Sequence, residues 1–279
     1  MDIVERSTAG AVATVTIRRP EKRNAVTAEM VQALVRAVRE LGSSDQVKCV
    51  VLRGEGADFC GGFDVSDARA FEGAAGDPTR TRIASVAEKA DWMRDLLTCP
   101  KPLIVSAQGV CAGIGTYFVI VADFAIATRD AGFGLPEERF GSAGATWAYP
   151  YLIREVGLKR ANELVMTGRR FSADEAAAMG IVNRVVDNAE QDAATADLAA
   201  AITSLPREGI ALNRAVKHLA LSVTGHLGAF EFHPATHPLA ERMRREPDEL
   251  DFMALVQRDG MRSAIAERNR RFEGGWWGW

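Results

Sequence analysis

Before residue 130 the chain runs at least twice from a β-branched stretch through a glycine-rich loop into a helix-forming segment. That order restricts the fold, because strands separated by helices are joined by crossover connections and belong to the α/β class. Residues 11–18, AVATVTIR, read as a strand, and residues 47–54, VKCVVLRG, as a second. Between them Thr27 is placed to cap an amphipathic helix that ends at Gly42. Residues 55–67 form a glycine-rich loop, and residues 68–80, with Gly73, Gly76 and Pro78, read as a mobile excursion. Helical spacing returns over 81–97. Residues 99–109 then read as a buried strand, and 110–128 as loop, buried helix and strand.

After residue 150 helix formers dominate, over 151–166, 172–179, 190–203, 209–222 and 250–268. Ser172 and Glu175 make an S-x-x-E capping box at one of these starts. The expected division is an α/β core over residues 1–195, which carries the site, and a helical region over 196–279. The last eight residues, FEGGWWGW, place three tryptophans at the end of the chain, where they would pack on a neighbouring subunit or the acyl pocket, or be disordered.

Composition narrows the function. Apolar residues make up 47% and charged residues 25% of 279, which excludes disordered, collagenous and coiled-coil chains. Lys+Arg 34 against Asp+Glu 37 leaves a net charge of −3, so no overall positive field invites nucleic acid. No apolar run nears the roughly 20 residues that span a bilayer, and no signal-like segment opens the chain; a cytoplasmic protein is expected. Cys49, Cys60, Cys99 and Cys111 have no zinc-like or CxxC spacing and read as reduced thiols.

Several motifs fail on inspection. Gly113-Ile114-Gly115 begins like a dinucleotide fingerprint, but Phe118 stands where the third glycine belongs. Phe140 replaces the first glycine of a nucleophile elbow at 140–144. His226, His233 and His237 cluster without the context of a metal motif; two precede prolines, which points to an irregular loop of solvated or capping histidines. No metal is expected.

A set of segments spread over nearly the whole chain remains: RPEKRNA (19–25), GADFCGGFD (56–64), KPLIVSAQGVCAGIG (101–115), ADFAIAT (122–128), FGLPEERFG (133–141), LVMTGRRFSADEAAAMGIVNRVV (164–186) and DGMRSAIAERNRRF (259–272). In these, and in their order, the sequence resembles the enoyl-CoA hydratase/isomerase, or crotonase, family. The resemblance implies a spiral of ββα units followed by helices that build a homotrimer or a dimer of trimers. It implies an acyl-CoA substrate, with coenzyme A as part of that substrate and no permanently bound cofactor, and neither nucleic acid nor membrane as partner.

It also assigns residues. The family's oxyanion hole falls on the backbone N–H groups of Phe63, after Gly61-Gly62, and Ile114, after Gly113. An acyl thioester becomes an enolate only if charge on its carbonyl oxygen is held, and two preorganised amides can hold it. Glycine loops let main chain approach a ligand closely. Where Ile114 stands the family usually has glycine, so a β-branched side chain is expected to narrow the space beside the thioester. The basic turn lies against coenzyme A in the family, which puts Lys22, Arg23 and Ala25 on the cofactor moiety together with Gly61, Gly62, Asp64, Val65 and Gly113. Arg268 and Arg271 are further candidate cations.

Hydratases of this family commonly use two glutamates. One of those positions falls on Glu137, in GLPEERFG; the other falls on Tyr117, a poor general base at neutral pH. A single carboxylate suffices to move a double bond by taking a proton at one carbon and returning it at another. The expected chemistry is therefore single-glutamate isomerisation or hydration through an enolate, with Glu138 as the neighbouring acid. The alternatives are a hydrolase or hydratase-lyase on the same scaffold, or a catalytically silent acyl-CoA binder. Ala145 stands where dehalogenating relatives carry aspartate, and Trp147, Tyr149 and Tyr151 read equally as pocket wall or as packing.

Overall fold

The structure, a computed structural model, describes residues 4–65, 79–141, 144–240, 246 and 248–273. The excursion expected at 68–80 and the terminal tryptophans lie almost wholly outside the described residues.

Strand β1 (Val4–Ala9) pairs antiparallel with β2 (Val12–Ile17), which alternates buried and half-buried positions. β1 has no apolar alternation, VERSTA, and nothing in its own sequence marks it as a strand. It forms because Gly10 turns the chain back along the edge of β2. Helix α1 (Ala28–Ser43) begins at Thr27, whose side chain accepts from Met30 N at 3.3 Å. Met30, Val31, Leu34, Val35 and Val38 fall on one face of it and are buried. β3 (Cys49–Gly54) follows, parallel to β2.

Helix α2 (Thr79–Leu97) leads to β4 (Leu103–Ala107), which is buried throughout. β5 (Val110–Ala112), α3 (Ile114–Val121), β6 (Phe124–Thr128) and β7 (Gly132–Gly134) come next, then a short 3-10 segment, Pro136–Phe140. The remaining elements are α4 (Ala148–Val156), α5 (Leu158–Thr167), β8 (Arg170–Ser172), α6 (Ala173–Ala178), β9 (Arg184–Val186), α7 (Gln191–Thr203), α8 (Arg207–Val223), α9 (Gly228–Ala240), α10 (Phe252–Asp259) and α11 (Met261–Arg271).

Among the described residues, one sheet has the order β1-β2-β3-β4-β6-β9 and a smaller one β5-β7-β8. Every pairing in the larger sheet after β1–β2 is parallel, as the alternation of strands and helices requires. Ile17, Val50, Leu52, Leu103 and Val105 anchor the main core with α1 and the inner faces of α2 and α3, while Cys49, Val51 and Ile104 pack on α7 and α8 on the other face of the sheet.

Four readings of the sequence are refined. The helix expected over 151–166 is two helices that meet at Gly157, and the one over 250–268 is two that meet at Gly260, both left-handed glycines. The boundary at residue 195 falls inside α7. His233 and His237 do not lie in an irregular loop: α9 continues through Pro234 and Pro238, with His226 in the turn before it. An interior proline costs a helix about 3 kcal/mol or more, a loss offset here by burial of Phe230 and His233 against the core side of the chain. The capping box at Ser172 and Glu175 is present in both its hydrogen bonds, at 3.1 Å and 2.8 Å.

Candidate active site

Three loops that are far apart in sequence are stitched together by main-chain hydrogen bonds. Gly61 N donates to Arg23 O at 2.8 Å and Val26 N to Gly62 O at 2.9 Å, which ties the basic turn to the glycine loop. Cys60 N donates to Val110 O at 3.1 Å and Ala112 N to Cys60 O at 3.0 Å, which ties the same loop to β5. Gly113 N then donates to Gly134 O at 2.9 Å and brings in the strand before Glu137. Phe63 and Ile114 are therefore carried to one place by backbone pairing alone.

Two glycines make this crossing possible. Gly62 has φ +99, and a Cβ built on it would stand 3.1 Å from Ala112 O. Gly113 has φ 53 and ψ −120 and starts α3. A Cβ on it would lie 3.6 Å from Glu137 Oε1 and 3.9 Å from Gly62 Cα, so the three residues face one space. Among the described residues no acceptor takes a hydrogen bond from the amide of Phe63 or of Ile114. Ile114 heads α3, where the first-turn amides have no partner within the helix and the macrodipole favours negative charge. Its side chain is 5% exposed and packs in the main core cluster, as does that of Tyr117.

Glu137 sits in the 3-10 segment after Pro136, with β7 placing it opposite α3. The residue keeps a partial opening to solvent while its carboxyl group is enclosed by protein. Burial pushes that carboxyl up to about 7, against smaller lowering effects from its own backbone amide and the Tyr117 hydroxyl, and Glu138 adds a small upward push. Tyr117, 6% exposed on α3, faces the Glu137 carboxyl and the Ala145 backbone N–H. Burial, and then the charge of Glu137, hold its phenol well above the ordinary tyrosine range. Tyr117 is thus a neutral donor at working pH and Glu137 is poised between its two states. Glu138 is also raised by burial.

The basic turn is braced rather than open. Arg19 and Lys22 both reach Asp64, at 2.8 Å and 2.9 Å, so the Asp64 side chain binds the turn itself. Arg19 Nη1 also donates to Ala25 O at 3.1 Å. Arg23 is different: its side chain is 72% exposed and only brushes Asp58 at 4.0 Å. Val65 is the last described residue of the glycine loop and sits half-buried in a turn. Arg268 stacks over the Phe140 ring at 4.7 Å and Arg271 pairs with Glu267 at 3.0 Å, which places both on contacts within the chain.

Reading the sequence missed Asn24. It is buried in a left-handed conformation (φ 54), accepts from Arg19 N at 2.8 Å, and donates to Glu55 O at 2.9 Å and Asp58 O at 2.7 Å. An asparagine after a basic turn was the available signal, since asparagine tolerates that conformation well. The Ala145 amide and His233 had no signal in sequence. Trp147 packs behind Tyr117: it is 2% exposed and stacks on Phe230 at 4.9 Å, while Tyr151, edge-on to it, lines a separate cavity beside Arg214 and Lys217. Tyr149 is hydrogen-bonded to Asn162. All four cysteines are buried free thiols. Among the described residues no group of His, Cys, Asp and Glu is arranged to hold a metal, and no helix is long and apolar enough to cross a membrane.

Known proteins share this fold. A solved enoyl-CoA hydratase/isomerase from Xanthobacter autotrophicus Py2 superposes with a TM-score of 0.87 and 31% identity, over 98% of this chain and 99% of that one. A probable enoyl-CoA hydratase from Mycobacterium smegmatis gives 0.75 and 27%, over 93% and 98%. In sequence the chain is 29% identical over 275 residues to the 1,2-epoxyphenylacetyl-CoA isomerase of Escherichia coli (strain K12), covering 94% of this chain and 95% of that protein. The family model for enoyl-CoA hydratase/isomerase matches residues 7–226. With the paired glycine loops, the α/β core and the helical C-terminal region in place, the chain has the crotonase fold and belongs to the enoyl-CoA hydratase/isomerase family.

Proposed function

We propose that the protein is an acyl-CoA isomerase that moves a double bond through an enolate, with Glu137 as the only proton-transfer base. The observation that carries this reading is the enclosed Glu137 carboxyl, facing the gap between Gly62 and Gly113, with Tyr117 as its neighbour. The amides of Phe63 and Ile114 hold the thioester oxygen as it becomes negative. Glu137 takes the proton from the carbon next to the carbonyl and returns it further along the chain. Its raised pKa suits both steps, because one group must act as base and then as acid near neutral pH. A phenol facing Glu137, rather than a second carboxylate, is a poor base for activating water, which makes hydration the second choice. The relative named as 1,2-epoxyphenylacetyl-CoA isomerase supports isomerisation of a CoA ester as the broad reaction class.

Coenzyme A, carried by the substrate, lies along the basic turn, with the exposed Arg23 supplying charge to its phosphates. A panel of enoyl-CoA esters, assayed separately for double-bond migration and for hydration, tests the reading. Migration as the main reaction supports it; hydration as the main reaction replaces it with a hydratase or hydratase-lyase in which Tyr117 orients water. Reversal of charge, Arg23→Glu, should raise KM several-fold at low salt and less at high salt, because screening removes part of the attraction.

Self-association is part of the proposal. On α8, Leu212, Val216, Leu219 and Val223 are spaced along one exposed stripe, and Leu158 and Met166 on α5 are also exposed. A contiguous stripe of this kind is the mark of a face covered by another copy. Sedimentation should report a trimer or a dimer of trimers, and Leu219→Glu should shift it to smaller species.

A further inference from the structure

The wall opposite Gly113, residues 144–147, has no strand or helix to hold it, since α4 starts only at Ala148. It nevertheless carries two contacts to the acid/base pair. The Ala145 amide faces the Tyr117 hydroxyl, and Gly144 packs against the Glu137 side chain, where an added Cβ would stand 3.1 Å from Glu137 Cβ. Something else must fix this segment, and α9 does so twice. Phe230 stacks on Trp147, which in turn lies 5.1 Å from the Tyr117 ring. One turn further, His233 Nδ1 is 3.0 Å from Thr146 Oγ1. The Thr146 hydroxyl is also 2.7 Å from that of Thr236, which is 2.6 Å from Phe232 O within α9.

We infer that His233 is a positioning residue: by holding Thr146 it fixes the Ala145 amide, and the amide aims the Tyr117 hydroxyl at Glu137. The inference rests on reading Glu137 as the base. His233 is 3% exposed and its ring packs against that of His237 at 4.5 Å. Burial first, then the neighbouring His237 and Lys89 on α2, push its imidazole down to about 3. The ring is therefore neutral over the whole working range, and the bond to Thr146 does not switch with pH. A neutral histidine hydrogen-bonded to a threonine beside the catalytic wall is a fixed strut, not a proton carrier.

The test reads Glu137 directly. In substrate-free protein labelled with ¹³C at glutamate carboxyls, the Glu137 signal is identified by its loss in Glu137→Gln, and its titration midpoint is followed. His233→Leu removes the strut, Thr146→Val removes the hydroxyl at the same size, and His233→Asn keeps a hydrogen-bonding atom near the Nδ1 position. The Tyr117 donation lowers the Glu137 pKa, so weakening it must raise the midpoint. The expected result is a rise of roughly 0.5–1 pH unit in His233→Leu and Thr146→Val, as for one weakened hydrogen bond, with His233→Asn near wild type. The same variants should lose roughly 3–10-fold in kcat with KM little changed, and His233→Leu should add nothing to Tyr117→Phe, since both act on one contact. An unmoved midpoint in folded His233→Leu and Thr146→Val overturns the inference, as does a shift that adds in full to that of Tyr117→Phe. Turnover surviving in Glu137→Gln would instead remove Glu137 as the base, and the titration would still decide the role of His233 because no substrate is present.

Discussion

The two halves of the site are built from different materials. On one side, Phe63 and Ile114 contribute backbone amides, and the glycines beside them set where those amides point. On the other, Glu137 and Tyr117 contribute side chains, and their behaviour is set by what encloses them. A backbone site tolerates changes of side chain but not of φ; a side-chain site tolerates changes of backbone neighbour but not of burial or hydrogen bonding. Ile114 shows the first rule, since a family position usually held by glycine carries a β-branched residue whose bulk goes into the core. Glu137 shows the second, since the same carboxyl in water would titrate more than two units lower than the value of about 7 it has here.

The comparison is broken most directly by Glu137→Gln, which keeps size and hydrogen bonding and removes the base. Steady-state kinetics should show kcat lower by roughly 10²–10⁴ with ligand affinity largely kept. On the backbone side, Gly62→Ala forces a left-handed alanine whose Cβ meets Ala112 O at 3.1 Å. It should cost up to roughly 10²–10³ in kcat, the loss of one oxyanion donor. Ile114→Val, in contrast, should leave kcat within about 3-fold and show up in melting experiments as a loss of about 0.5–1.5 kcal/mol. Equal kinetic damage from the two changes would end the distinction.

Tyr117→Phe should cost less than Glu137→Gln, about 10-fold, because no water needs holding in isomerisation. Its clearer signature is in pH. Activity requires ionised Glu137, so kcat/KM, which follows the free enzyme, should rise with pH through about 7 in the wild type. Loss of the Tyr117 donation raises that pKa, and the rise should move to higher pH in the variant. The smallest effect is on stability. Glu137 has a folded pKa of about 7 against 4.5 in an ordinary setting. The protonated form is thus favoured by folding, and its stabilising contribution is complete below 4.5 and lost as pH rises through about 7. Glu137→Gln escapes that loss, so its melting temperature relative to wild type should climb between pH 5 and pH 8.5.

The same division separates what could be read from the chain from what could not. Local rules were enough for the helix cap at Thr27, the capping box at Ser172 and the parallel pairing of β2, β3 and β4, because hydrogen bonds between near neighbours and the order of elements decide them. The glycines at 62 and 113 were legible for a related reason: only glycine takes those backbone angles without strain, and so the backbone announces itself in the residue type. Glu137 and Tyr117 were legible as residues through the family motif, but not their pairing.

Tertiary structure alone decided the rest. β1 forms because an edge was open beside β2, and α9 continues through two prolines because Phe230 and His233 bury their side chains. Arg19 and Lys22 turn to Asp64, 42 residues from Lys22 in sequence, and leave Arg23 as the exposed cation of the turn. His233 reaches Thr146 across 87 residues. Electrostatics and burial depend on distance in space, and a residue's letter records neither its depth nor its partner. The sequence by itself therefore determined which groups could do the chemistry, while the pKa of Glu137 and the contacts that aim Tyr117 came from the packing around them.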